Sequence, residues 1–271
     1  IDINYRFKAN QKDFFKIAGA PISFWVNNSV REIYLKSKSI EDIADPRQGM
    51  KTSDNNRFLR LWHEISFSNI GFNKKNRIEA KDSKLKWFPY DKGGSFRKWY
   101  GNNNHVINWE NDGEEVMQLA TELYKTPTRT ITAMSYYFRE GLTWSALSNG
   151  TFSIRHTLQG FLFDAKGSKL FLKPEKSDLT YTILGFMNSS LVNYLLGVTS
   201  PTLDYNAGPI KKLPFNEIDI TENLKKEIDD LVKECLAISK KDWDSREISW
   251  DFKYSPLTTL NVNSCESAFE L

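Results

Sequence analysis

The sequence predicts an α+β globule, with a mixed, mostly antiparallel sheet, flanking helices and a long C-terminal helix. Three observations predict it. Apolar residues recur at helical spacing over 221–240, where Leu224, Ile228, Leu231, Val232 and Cys235 share one face. Short strand-like runs separated by turn signals fill 142–172. A hydrophobic fraction of 40%, with 8 Trp and 18 Phe in 271 residues, supplies a sizeable core and excludes a disordered chain.

Residues 10–18 and 28–38 read as helices, and Val30, Ile33 and Tyr34 give the second an apolar face. Pro46 and Gly49 break that pattern and open a polar loop. The loop runs into a short helix reaching Trp62, capped by Asp54 or Asn55, with Phe58, Leu59 and Trp62 on its apolar side. Residues 85–91 read as a strand that ends in the turn residues Lys92, Gly93 and Gly94. Ser95 then caps a short aromatic helix over 96–100. Residues 105–109 read as a strand, and 113–124 as a helix with acids at its start. Asn149-Gly150 and Ala165-Lys166-Gly167 are the turns of the β-rich stretch. Residues 180–197 form a compact, nearly apolar helical piece, and Pro201, Gly208, Pro209 and Pro214 mark an irregular return. The organisation expected is a helical lead-in over 1–48, a main domain over 49–218, a helix with an aromatic-anchored segment over 219–257, and a tail over 258–271.

Composition excludes several classes. No apolar run is long enough for a membrane-spanning helix, so no membrane partner is expected. Cys235 and Cys265 do not make a disulfide framework and fit a reducing, cytoplasmic protein. The N-terminus has neither an initiator Met nor a signal-peptide pattern, which suggests a fragment or processed product. The net charge of +3 hides an asymmetry: residues 51–100 hold 12 Lys+Arg against 5 Asp+Glu, and residues 216–251 hold 6 against 11. A basic region set apart from an acidic one suits a polyanion on the first.

Conventional catalytic cassettes are missing. His63, His105 and His156 are far apart, without HExxH or CxxC, so no metal site is expected. No G-x-S-x-G elbow occurs. No Asn/Asp-Pro-Pro-aromatic motif occurs, which an amino-methyltransferase of nucleic acid uses on its flipped base, and no glycine-rich strand-to-helix turn for a methyl donor. No catalytic and no cofactor-binding residue is therefore expected. Asp242, Asp244, Glu247 and Asp251 raise a divalent-ion nuclease as an alternative. Their alternation with Trp243, Ile248, Trp250 and Phe252 reads instead as solvated acids on a segment pinned by aromatics.

Three stretches carry binding chemistry. In 49–62, Lys51, Thr52, Ser53, Asn55, Arg57 and Arg60 join free amides, hydroxyls and cations at a helix start, which suits backbone phosphates. In 84–104, Lys92, Arg97, Lys98, Tyr100, Asn102 and Asn103 combine cations, stacking surfaces and amides able to pair with base edges. In 132–155, Tyr136, Arg139 and Arg155 do the same around short strands. The competing reading buries Trp87, Phe88 and Trp99 in the core and leaves the lysines merely solvated.

In order, the segments PISFWVNNSVREIY (21–34), IADPRQGMKTSDNNRFLRLWHEI (43–65), KWFPYDKGGSFRKWYGN (86–102), FSIRHTLQGFLFDAKGSKLF (152–171), GFMNSSLVNYLLGVTSPTLDYNAGPIKKLPF (185–215) and SKKDWDSREISWDFKYSPL (239–257) resemble the C-terminal specificity region of the PglX family of BREX-type adenine-specific DNA methyltransferases. GFMNSSLVNYLLG followed by GPIKKLPF is also similar to the close of target-recognition domains in restriction-modification specificity subunits. The resemblance implies a target-recognition fold whose partner is double-stranded DNA. It implies a preceding catalytic domain that binds S-adenosylmethionine, and a place in bacterial phage defence beside other defence proteins. The ending LTTLNVNSCESAFEL (257–271) departs from the family's helical continuation. The expectation is a DNA-reading region without its own chemistry, with a protein-interaction module that docks defence partners or inhibitors as the other alternative.

Overall fold

The structure is a computed structural model that describes residues 9–148, 150–200, 202, 204–258, 264 and 266–267. Short helix α1 (Gln11–Phe14) precedes α2 (Asn28–Lys36), whose first turn is capped by Asn27 accepting the Val30 N–H. Strand β1 (Lys38–Ser39), helix α3 (Ile40–Ile43) and strand β2 (Ala44–Arg47) follow without a break. The polar loop leads into α4 (Asn55–Phe58) and β3 (Leu59–Leu61). Then come α5 (Arg77–Asp82), β4 (Trp87–Asp91), β5 (His105–Asn108) and α6 (Glu110–Tyr124). The β-rich stretch holds β6 (Gly141–Trp144), β7 (Ile154–Thr157), β8 (Leu162–Phe163) and β9 (Lys169–Leu172). Helices α7 (Thr180–Met187), α8 (Ser190–Thr199) and α9 (Ala207–Lys211), strand β10 (Pro214–Phe215) and the long α10 (Glu222–Asp244) complete the order.

Among the described residues the strands form two four-stranded sheets and a small pair. One sheet runs β2-β9-β6-β7, all antiparallel. The other runs β3-β5-β4-β8, antiparallel except where β4 pairs parallel with β8. β1 pairs with β10. The predicted α+β class, with a mixed, mostly antiparallel sheet and a long C-terminal helix, is what the chain forms.

Each sheet has its own core. Leu142, Trp144, Ile154 and Leu170 pack with Ile183, Leu195, Leu196 and Val232 from the helices. Phe58, Phe88, Tyr90, Ile107 and Trp109 pack with Val116, Phe138 and Phe163. Side chains alternate across a strand, and β9 uses that alternation to join the cores. Leu170 faces the first cluster and its neighbour Phe171 the second.

Several local expectations fail for physical reasons. The helix predicted over 10–18 is the single turn α1. The helix predicted to reach Trp62 stops at Phe58, because Leu59, Arg60 and Leu61 find ladder partners in Ile107, Val106 and His105. No helix forms over 96–100. Trp99 and Asn102 adopt positive φ, and Trp99 bridges to Arg155 instead. The 1–48 stretch is not a purely helical lead-in: β2 pairs with β9, and Ile40, Ile43 and Ala44 lie in the first core. The turn residue Asn149 and most of the 258–271 tail lie outside the described residues.

Candidate nucleic-acid interface

The loop after β2 is fixed by backbone bonds at several points. Met50 donates its N–H to Phe163 O and accepts from the Ala165 N–H, and Lys51 N–H reaches Thr130 O. A Cβ on Gly49 would stand 2.0 Å from the Phe163 carbonyl oxygen, so only glycine allows this approach. The Thr52 hydroxyl, itself buried, donates to Asn55 Oδ1 at 2.6 Å. Asp54 caps α4 by accepting the Arg57 N–H at 3.0 Å. α4 is one turn long and that amide is already engaged, so the anion-binding character expected of this loop would rest on side chains and not on a helix end.

Two adjoining concavities open beside this loop. Lys51, Thr52, Ser53, Asn55, Lys92 and Asp164 line one; Asn55, Asn56, Arg60, Glu64, Lys92 and His105 line the other. Asn55 and Lys92 belong to both, so the two make one polar groove. Five of the six predicted phosphate anchors, Lys51, Thr52, Ser53, Asn55 and Arg60, meet there, and Lys92 joins them from β4's end. Lys51 is exposed and has no ion pair among the described residues. Arg60 bonds the Asn56 and Leu59 carbonyls and lies over the Trp87 ring at 5.6 Å, which orients its guanidinium without neutralising it. Lys92 is held by Asp164 at 2.6 Å, and Asp164 also accepts from the Tyr90 hydroxyl at 2.9 Å. Burial pushes the His105 imidazole below its ordinary pKa, and the nearby Lys92 charge adds to that. Arg57 stands apart: it pairs with Glu115 of α6 at 3.4 Å and stacks on Phe58.

The second predicted set behaves differently. Arg97 ion-pairs with Asp242 and lies over the Trp243 ring at 5.1 Å, both on α10. Lys98 donates to Asn188 O at 2.9 Å. Asn102 is buried and donates to Ser95 O at 2.8 Å. Tyr100 and buried Asn103 line an aromatic crevice with Phe72, Phe161 and Trp250, and the Lys240 ammonium lies 5.1 Å from the Tyr100 ring centre. Burial raises the Tyr100 phenol pKa. These side chains clamp the 93–104 loop to the body of the protein.

Arg155 requires a correction. It is 1% exposed, donates to Arg97 O and Ser145 Oγ, and sits near Asp91. Asp91 forms a 2.9 Å ion pair with fully buried Lys169 and accepts from Thr157. This cluster joins the end of β4 to β7 and β9, between the two sheets. Burial pushes the Arg155 pKa down to about 10, against the pull of Asp91, so it stays cationic at neutral pH. A side chain so placed cannot reach a base edge. By contrast Arg139 is exposed and stacked over Tyr136 at 5.0 Å and Phe171 at 5.6 Å. Tyr136 is anchored by bonds to Asp45 and Arg47.

Three of the four acids over 242–251 are tied to cations. Asp242 meets Arg97 and Arg246, while Asp244 and Asp251 share Lys240. Trp243 is buried and Trp250 packs on Phe72 and Phe161, as expected of an aromatic-anchored segment. Sequence reading missed Asp164, Lys166 and His105 as groove residues. Asp164 and Lys166 lie more than seventy positions from Lys92 or beyond, so no local spacing signals them. Among the described residues no helix is long and apolar enough to cross a membrane.

No protein-family model matches the chain. The chain is, however, similar along nearly its whole length to one part of the adenine-specific methyltransferases. It is 36% identical over 264 residues to the adenine-specific methyltransferase PglX of Lacticaseibacillus casei (strain Zhang), covering 95% of this chain and 21% of that protein. It is 36% identical over 248 residues to the adenine-specific methyltransferase BrxX of Escherichia coli O9:H4 (strain HS), covering 91% of this chain and 19% of that protein. The chain thus spans about a fifth of the length of these curated relatives. The resemblance read from the ordered segments holds.

Proposed function

We propose that this chain is the target-recognition region of a site-specific adenine-N6 DNA methyltransferase of a bacterial phage-defence system, and that it reads duplex DNA in the cytoplasm. The observation that carries the reading is the groove. Six of the side chains predicted from sequence to contact DNA converge there, in a chain related to adenine-specific methyltransferases. Lys51 and Arg60, which have no carboxylate partner among the described residues, engage phosphates beside the Lys92–Asp164 pair, while Ser53, Asn55 and Asn56 offer hydrogen bonds that fix register. Arg139, pre-oriented by two aromatic rings, presents its planar fork to a base edge, with guanine the natural partner.

S-adenosylmethionine would supply the methyl group in the parent enzyme. Gly93 and Gly94, the only paired glycines, lie in a loop at positive φ and do not open a helix. In this proposal the methyl donor and the reacting adenine belong to a catalytic domain of the parent polypeptide, the first partner expected besides DNA. Other phage-defence proteins are the second.

The test is binding to short duplexes across a salt series. Log affinity is expected to fall linearly with log salt, with a slope of roughly −0.9 per phosphate engaged. Binding that does not respond to salt would contradict the reading.

A further inference from the structure

Helix α10 leaves one face uncovered. Its inner face carries Val232, Asp229 and Trp243, all buried, and Asp229 accepts the Thr182 hydroxyl of α7 at 2.8 Å. Beside it Leu224, Ile228, Leu231, Cys235 and Ile238 succeed one another at intervals of four, three, four and three residues; Ile228 is half-buried against the first core and Cys235 is half-buried, while the other three are exposed. That is the heptad spacing of a coiled-coil seam. Leu224 is 43% exposed, Leu231 57% and Ile238 62%. Ile228 and Leu231 also border an almost wholly apolar groove completed by Phe186, Phe215 and Ile220. A heptad seam whose Leu224, Leu231 and Ile238 are open to water, beside an apolar groove, has the form of a helix-docking surface.

Charge narrows the occupant. Glu227 and Glu234 each precede a seam residue and so line one flank of it. Both are exposed and have no ion pair among the described residues. A second copy of the helix fits poorly. Parallel copies would set Val232 and Ser239 beside those glutamates, and antiparallel copies overlapping the whole seam would set Glu227 beside Glu234.

We infer that α10 docks an amphipathic helix of another protein segment, with Leu or Ile at heptad spacing and Lys or Arg facing Glu227 and Glu234. This surface is separate from the polar groove and does not depend on DNA reading.

The test titrates the protein with two synthetic helical peptides of about four heptads. They share the same Leu/Ile positions and differ only in carrying Lys or Glu at the flanking positions. The Lys peptide is expected to bind, and the Glu peptide to bind about tenfold more weakly or worse. Leu231→Glu is expected to abolish Lys-peptide binding and leave the melting temperature unchanged, since the side chain is largely solvated. The double variant Glu227→Lys with Glu234→Lys is expected to reverse the preference, which keeps the test decisive if Leu231→Glu misfolds. Equal binding of both peptides, binding of neither, or a dimer in sedimentation that Leu231→Glu dissociates would overturn the inference.

Discussion

Two stretches of this chain carry the same ingredients and end in opposite situations. The 51–60 loop with Lys92, and the 97–103 loop with Arg155, both combine cations, amides and nearby aromatics. Around the first, Lys51 is unpaired among the described residues and Arg60 is oriented by carbonyls and a ring without a carboxylate, while Lys92 is held by Asp164, so the open positive charge is that of Lys51 and Arg60. In the second, Arg97 is taken by Asp242, Lys98 by a backbone carbonyl, and Arg155 lies inside beside Asp91. Whether a cation can bind a ligand depends on whether the fold has already given it a partner, and that partner comes from a distant segment. The first region leaves cations open to a ligand, as the proposed recognition surface requires; the second is a lock between a loop, two sheets and α10.

The lock predicts the largest effect. Asp91→Ala leaves Lys169 and Arg155 as buried cations without their carboxylate, and is expected to cost about 3–5 kcal/mol in denaturant unfolding. A cost under about 1 kcal/mol would break the contrast. Arg97→Ala removes a partly exposed ion pair and a ring contact, so the expected loss is about 1 kcal/mol, with the salt slope of DNA binding unchanged. Lys51→Ala should alter stability by less than about 0.5 kcal/mol while weakening duplex binding similarly across sequences.

The smallest expected effect is one of pH. The Asp242 carboxyl is held below its ordinary pKa mainly by its hydrogen bond to Arg97, with burial opposing. A folded pKa below the unfolded one stabilises the protein above the ordinary carboxylate range, and that contribution fades as pH falls through the lowered value. The melting-temperature gap between the native protein and Asp242→Asn should therefore narrow on acidification. A gap that widens would contradict the assignment.

Much of the fold was legible because it rests on local patterns. The period of α10 and the Asp54 cap are written in adjacent residues. The failures share one cause, which is tertiary pairing overriding local preference. Leu59 to Leu61 has helical company but a free ladder on β5. Arg155 lies on β7, buried on both faces because one core and an ionic cluster flank it, and a four-residue strand gives no sign of that. The groove was half legible. Its loop was visible at 49–55, but Asp164 and His105 arrive through sheet topology.

The most direct test of the central contrast is the salt dependence of duplex binding for Lys51→Ala and Arg60→Ala beside Arg97→Ala and Lys98→Ala. The account predicts that each groove variant lowers the slope by roughly one phosphate's share, and that the two loop variants leave it unchanged. Loop variants that lower the slope while groove variants do not would contradict it.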